Sequence, residues 1–145
     1  MGQQQLLLLV LGIVIVGIAV VAGIQAFSEG KAKATSDAAV SDAMRIITDL
    51  QAWYLKPTTF GGGGETKANW ANIKYSSIGL DPAKDADPTT TTKYETVNGC
   101  FELAGAAGKA TVTIYTRSGS ACATDKIADA EIMSASPDSV AWTYN

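Results

Sequence analysis

The first 28 residues carry no charged side chain, and the stretch from Leu6 to Ile24 is built from Leu, Ile, Val, Ala and Gly. Charges begin at Glu29, and an amphipathic helical pattern then continues to about Leu55. A helix that is apolar on every side at one end and amphipathic at the other must bury its first half, in lipid or among copies of itself. This constraint bounds every later reading of the chain.

Two ordinary explanations of the apolar segment fit its flanks poorly. A secretory signal peptide has a positive region before its apolar core and a small-residue cleavage site after it. Residues 1–5 read Met-Gly-Gln-Gln-Gln. The Ala22–Ala26 stretch has suitable small residues, but the helical pattern runs through it. A plain anchor needs about 20 apolar residues, which Leu6–Ile24 nearly supplies. The nearest basic residues, Lys31 and Lys33, would then hold the C-terminal side in the cytoplasm. That conflicts with an exported domain.

Beyond Ile24, Ala39, Ala43, Ile46 or Ile47, Leu50 and Tyr54 recur at steps of three and four, as on one face of a helix. Asp42 with Arg45, and Arg45 with Asp49, stand at i,i+3 and i,i+4 and predict weak surface pairs. Pro57 disfavours helix at Lys56, so the helix should stop near Leu55. One helix from about Gly2 to Leu55 would be roughly 80 Å long. Its first half is expected to project bare and its second half to lie against a sheet. Gly12, Gly17 and Gly23 predict close helix packing, with local unwinding between Gly12 and Gly23 in an assembled bundle as the alternative.

Four segments follow: 1–28 as anchor or assembly core, 29–55 as amphipathic helix, 56–92 as connecting loop and 93–145 as an antiparallel sheet. Gly61–Gly64 cannot be regular structure without other support. Trp70, Ile73, Tyr75, Ile78 and Leu80 are expected to pin the loop to the sheet or to neighbouring subunits. Thr89, Thr90, Thr91 and Thr92 form a low-complexity tract, a candidate for O-linked sugar or simply a solvated loop. Tyr94, Val97, Phe101 and Leu103 suggest a first strand, with a bulge or turn at Asn98-Gly99. Gly105–Gly108 reads as a turn, and Ala110, Val112 and Ile114 alternate with polar partners as a second strand. Lys126–Ser134 and Val140–Tyr144 are the third and fourth candidates. The expected fold class is α+β, a long N-terminal helix packed on a small antiparallel sheet of three or four strands.

The 145-residue chain has 11 basic and 14 acidic residues, a net charge of −3 and no histidine. Its pI is about 4.8. The absence of any basic cluster argues against nucleic-acid binding. Without histidine, Ser-His and Cys-His pairs cannot be built, and no catalytic constellation is expected. Glu95, Glu102 and Glu131 read as solvated strand residues. Asp81, Asp85 and Asp87 lack the spacing of a calcium loop. No cofactor is expected. Phe27, Trp53 and Tyr54 read as packing residues rather than an electron path. Cys100 and Cys122 are expected to form a disulfide in an oxidising compartment, worth roughly 3 kcal/mol in the chain-entropy picture. Two separate buried thiols are the alternative.

In its apolar N-terminus, its amphipathic continuation to Leu55, its loop to Thr92 and its strands with a cysteine pair, the chain resembles a type IV pilin or pilin-like filament subunit. The resemblance rests on hydropathy in the N-terminal third and on architecture over the rest. It implies a filament core formed by Leu6, Leu7, Leu8, Leu9, Val10, Leu11, Ile13, Val14, Ile15, Val16, Ile18, Val20, Val21 and Ile24. It implies a homo-oligomer of many copies, handled by inner-membrane assembly machinery and processed by a prepilin peptidase just before an often methylated residue. Met1 would be that residue, and a translation start at Met1 or cleavage after Gly2 are the alternatives. The family usually carries Glu at the fifth mature position, pairing with a neighbour's amine; here Gln5 replaces it, so its contact with Met1 of a neighbour would be a neutral-acceptor hydrogen bond. Ala22-Gly23 replaces the family's helix-breaking Pro. The implied function is a filament for adhesion, motility or surface attachment, at the cell surface and in the inner membrane before assembly. A pseudopilin of a secretion or DNA-uptake machine, and a single-span anchored binding domain, are the competing readings.

Overall fold

The computed structural model describes residues 2–81, 92–118 and 121–145, without the side chains of 118 and 121–124. The chain divides into two compact units, Met1–Ala34 and Thr35–Asn145. Helix α1, Gly2–Leu55, supplies the described part of the first unit and opens the second. It ends where the sequence requires, two residues before Pro57.

Four glycines then become a helix cap. The last carbonyls of a helix have no partner within it. Here the N–H of Gly63 donates to the Trp53 carbonyl at 2.9 Å, that of Glu65 to Tyr54 at 2.9 Å and that of Gly64 to Lys56 at 2.8 Å. The Trp53 indole N–H donates to the Gly61 carbonyl and the Tyr54 hydroxyl to that of Glu65. The return runs so close that a Cβ at Gly62 would stand 2.1 Å from the Lys56 oxygen. Gly61 and Gly64 have positive φ, which only glycine adopts without strain.

The sheet has five antiparallel strands in chain order: β1 Lys93–Glu95, β2 Gly99–Ala106, β3 Lys109–Ser118, β4 Ala121–Ile132 and β5 Val140–Tyr144. The extra strand arises because the expected first strand is two. A turn through Thr96–Asn98 folds β1 onto β2, with Tyr94 opposite Phe101. The β2–β3 turn is only Ala107-Gly108, since Gly105 and Ala106 remain paired with β3. Strand β4 starts five residues earlier than its alternation suggests. A register shift near Tyr115 breaks the period of two, and Cys122 still pairs with Arg117 beyond it.

Within Thr35–Asn145, the α1 stripe Ala39, Ala43, Ile46, Ile47, Leu50, Trp53 and Tyr54 shares one core with the sheet's inner face, chiefly Phe101, Leu103, Val112, Ile114, Ala128, Ala130 and Ile132. This is the α+β arrangement expected from the sequence. Small residues set the spacing: a Cβ at Gly99 would lie 3.0 Å from that of Ala39. Trp70, Ile73 and Tyr75 close the core from the connecting segment, and Ile78 and Leu80 pack partly against it. Trp70 stacks on Tyr54 at 4.7 Å, with its carbonyl against Gly105, where a Cβ would stand 2.0 Å away.

The tightness at Gly62 is testable. Gly62→Ala should lower unfolding free energy by about 2 kcal/mol, whereas Gly30→Ala, in a helix with open space around it, should not lower it. Denaturant titration of the detergent-solubilised chain measures both.

Tyr75 gives a second prediction. It is fully buried, and its hydroxyl has no hydrogen-bond partner among the described residues. Burial, with Glu102 and Tyr94 nearby, pushes its phenol far above the usual range. The folded chain therefore keeps a proton that the unfolded chain releases near pH 10. The associated stability is fully present below about pH 10 and is lost as pH rises through and beyond it. Tyr75→Phe should leave neutral-pH stability unchanged or raise it by about 1 kcal/mol, and should flatten the alkaline decline. Thermal unfolding across that range checks it; an equal decline in both proteins would contradict the assignment.

Candidate assembly surface

In the unit Met1–Ala34, every described residue is solvent-exposed. The Leu, Ile and Val side chains from Leu6 to Ile24 are each between 51% and 70% exposed, which is what a lone helix shows when nothing but its own turns covers them. Apolar residues occupy all sides of the helix, so no rotation could hide them against a single surface. Among the described residues α1 is the one helix long and apolar enough to cross a membrane.

The glycines of the apolar segment lie in regular helix in the single chain, which is not the assembled bundle for which unwinding is the alternative. The helix is unbroken through Gly12, Gly17 and Gly23, with no local unwinding. A Cβ at any of the three would meet open space, so the chain's own packing does not require glycine there. Gln5 lies exposed at the end of the first turn of the helix, and Met1 lies outside the described residues, as do Thr89, Thr90 and Thr91. The first turn of the helix contains no acidic residue to meet its free N–H groups. Nothing ionisable lies on the side chains from Gly2 to Ser28. Between Leu6 and Ile24, where no side chain is polar, such a surface binds only through apolar contact and close backbone approach.

The unit Thr35–Asn145 places the remaining candidates apart from one another. The Asp42 carboxylate does not pair with Arg45 as the spacing predicts. It accepts hydrogen bonds at 3.0 Å from the Thr96 hydroxyl and the Asn98 amide, fastening the β1–β2 turn to the helix. Arg45 forms no ion pair with Asp42 or Asp49 among the described residues. A charge-assisted bond to a half-buried turn outweighs a solvated helix pair. Asp42, Arg45, Asp49, Tyr94 and Thr96 line a small cleft with room for little more than water.

The three strand carboxylates do not converge. Glu102 accepts from the Tyr115 hydroxyl at 3.3 Å; burial, then the charge of Glu102 and this bond, raise that phenol. Glu131 pairs with Lys109 across β3 and β4 at 2.6 Å, while Glu95 sits on the edge strand. Lys126 and Asp129 form a second ion pair. Among the described residues no three His, Cys, Asp or Glu side chains gather as metal ligands. Trp53 and Tyr54 pack with Trp70 in the core, and Phe27 is exposed on the bare helix.

Cys100 is buried on β2 opposite Tyr115, and no free thiol is found among the described residues. Cys122 pairs by its backbone with Arg117, two positions along the same strand β3, and its side chain lies outside the described residues. Sequence reasoning missed the Asp42 clasp and the glycine cap. The Thr96-Val97-Asn98-Gly99 turn was the available signal for the first, and Pro57 followed by four glycines for the second.

Comparison with known proteins gives no match to a family model, to a curated protein or to a solved structure.

Proposed function

We propose that the chain is the structural subunit of an extracellular helical filament of the type IV pilus kind, serving adhesion, motility or surface attachment. The observation that carries this reading is the wholly exposed apolar helix of the first unit beside a second unit with a complete core of its own. Such a helix must exchange lipid for an equally apolar partner if it leaves the membrane, because apolar area costs about 25 cal/mol per Å² in water. Identical helices in a repeating, heterologous arrangement supply that partner without limit of number. Before assembly the same segment serves as the membrane anchor, in the reach of inner-membrane assembly machinery.

Gly12, Gly17 and Gly23 fit this reading because they leave room for a neighbouring backbone. Gln5 provides an uncharged acceptor for the neighbour's terminal amine. The desolvation cost of a carboxylate is then absent, while the amine's charge is met by a weaker, neutral acceptor. Nucleic acid has no part in this function.

Val14→Asp or Ile15→Lys should abolish filaments while the second unit stays folded. Electron microscopy of sheared surface material, with near-ultraviolet circular dichroism of the solubilised chain, reads both effects. Filament yield equal to wild type in either variant would count against the bundle. A chain that remains wholly in the detergent fraction would favour an ordinary anchored domain, and short sparse assemblies would favour a pseudopilin.

We further infer that Cys100 and Cys122 are joined, because no free thiol is found among the described residues and these are the two cysteines of the chain. Reduction should cost about 3 kcal/mol of stability. Thiol titration of the unfolded chain before and after reductant tests the bond: two thiols without reductant would refute it.

A further inference from the structure

The two edges of the sheet are treated differently. An edge strand offers unpaired backbone groups to any passing strand, and natural edges are defended by shortness, charge, proline or a bulge. Strand β1 is defended: it has three residues, of which Lys93 and Glu95 are charged. Strand β5 reads Val-Ala-Trp-Thr-Tyr, with no charge and no proline, and pairs with β4 without a register shift.

The hydrogen-bond pattern shows which groups β5 leaves open. The Asn145 N–H donates to the Ile127 carbonyl at 3.1 Å, extending the register in which Thr143 faces Asp129 and Ala141 faces Glu131. Bonded and non-bonded pairs alternate along an antiparallel ladder. The N–H and C=O groups of Ala141 and Thr143 therefore point to β4, and those of Val140, Trp142 and Tyr144 point away from it. The Trp142 and Tyr144 rings stack at 6.0 Å on the core side of this margin, and Tyr144 is 64% exposed.

We propose that β5 pairs antiparallel with β5 of a second copy, about a two-fold through Trp142. In that register Trp142 faces Trp142 and Tyr144 faces Val140, so every outward-pointing residue meets another. A slip of one residue would set outward-pointing groups against residues committed to β4. The strand is thus complementary to itself, while its lack of charge gives a foreign strand nothing further to read. The defended β1 is too short and too charged to serve as the partner. The location of the second copy rests on the filament reading. Contacts within a helical filament are heterologous, so an isologous joint is left for a copy in a neighbouring filament. Repeated along two fibres, weak joints sum to a stable lateral bundle.

The test uses sheared filaments of the full chain, with bundling read by negative-stain microscopy and low-speed sedimentation. Wild type should bundle side by side. Tyr144→Pro removes one outward N–H at an edge position that tolerates proline, and Ala141→Lys restores the missing charge; each should reduce the bundled fraction about tenfold with the single filament unchanged. Thr111→Lys, on β3 and away from the edge, should bundle like wild type. Bundles persisting in both edge variants, an equal loss in Thr111→Lys, or wild-type filaments that stay single would overturn the proposal. If wild type makes no filaments, the filament reading fails by itself. The edge is then tested on the detergent-solubilised full chain, where dimers abolished by Tyr144→Pro support it and wild-type monomers overturn it.

Discussion

Everything distinctive about this chain depends on one uncompensated burial. The residues from Leu6 to Ile24 are apolar on all sides, and their Leu, Ile and Val side chains stand exposed. The second unit has its own core, made by the α1 stripe, the inner face of the sheet and Trp70, Ile73 and Tyr75 of the connecting segment. In the proposed function, cover for the apolar helix comes first from lipid and then from copies of the same helix. Neither state requires chemistry, and the residues from Gly2 to Ser28 offer none.

The second unit is built to be independent of that exchange. Its helix portion is held at both ends by polar clasps. Asp42 binds the Thr96–Asn98 turn, and the glycine return satisfies the carbonyls of the last helical turn. Small residues at Ala39, Gly99 and Gly105 bring helix, sheet and connecting segment within contact. In the proposed filament the surface of the second unit decides how finished assemblies meet one another, and there the undefended β5 edge has its proposed role.

Hydrophobic periodicity made the large features legible from sequence. The bare helix, the stripe from Ala39 to Tyr54, the stop before Pro57 and the strand around Val112 each follow a single local period. The features that escaped it depend on distant partners. The turn between β1 and β2 is specified jointly by Thr96, Asn98 and an aspartate more than fifty residues earlier. The start of β4 is hidden because a bulge shifts the phase of its alternation. The four glycines look like disorder until the carbonyls of Trp53, Tyr54 and Lys56 are known to need donors. The candidate surface was legible almost completely, because exposure of an all-round apolar helix follows from composition alone. The open edge of β5 was not, since a strand's place in a sheet cannot be read from its own residues.

The most direct test is helical reconstruction from electron micrographs of material sheared from the cell surface. The account predicts fibres whose central density is a bundle of helices formed by residues 1 to about 55, with Gln5 of each copy against a neighbour's terminal amine and the second units outside. Absence of fibres, with the protein retained in the membrane fraction, or fibres whose core excludes the apolar helix, would contradict it.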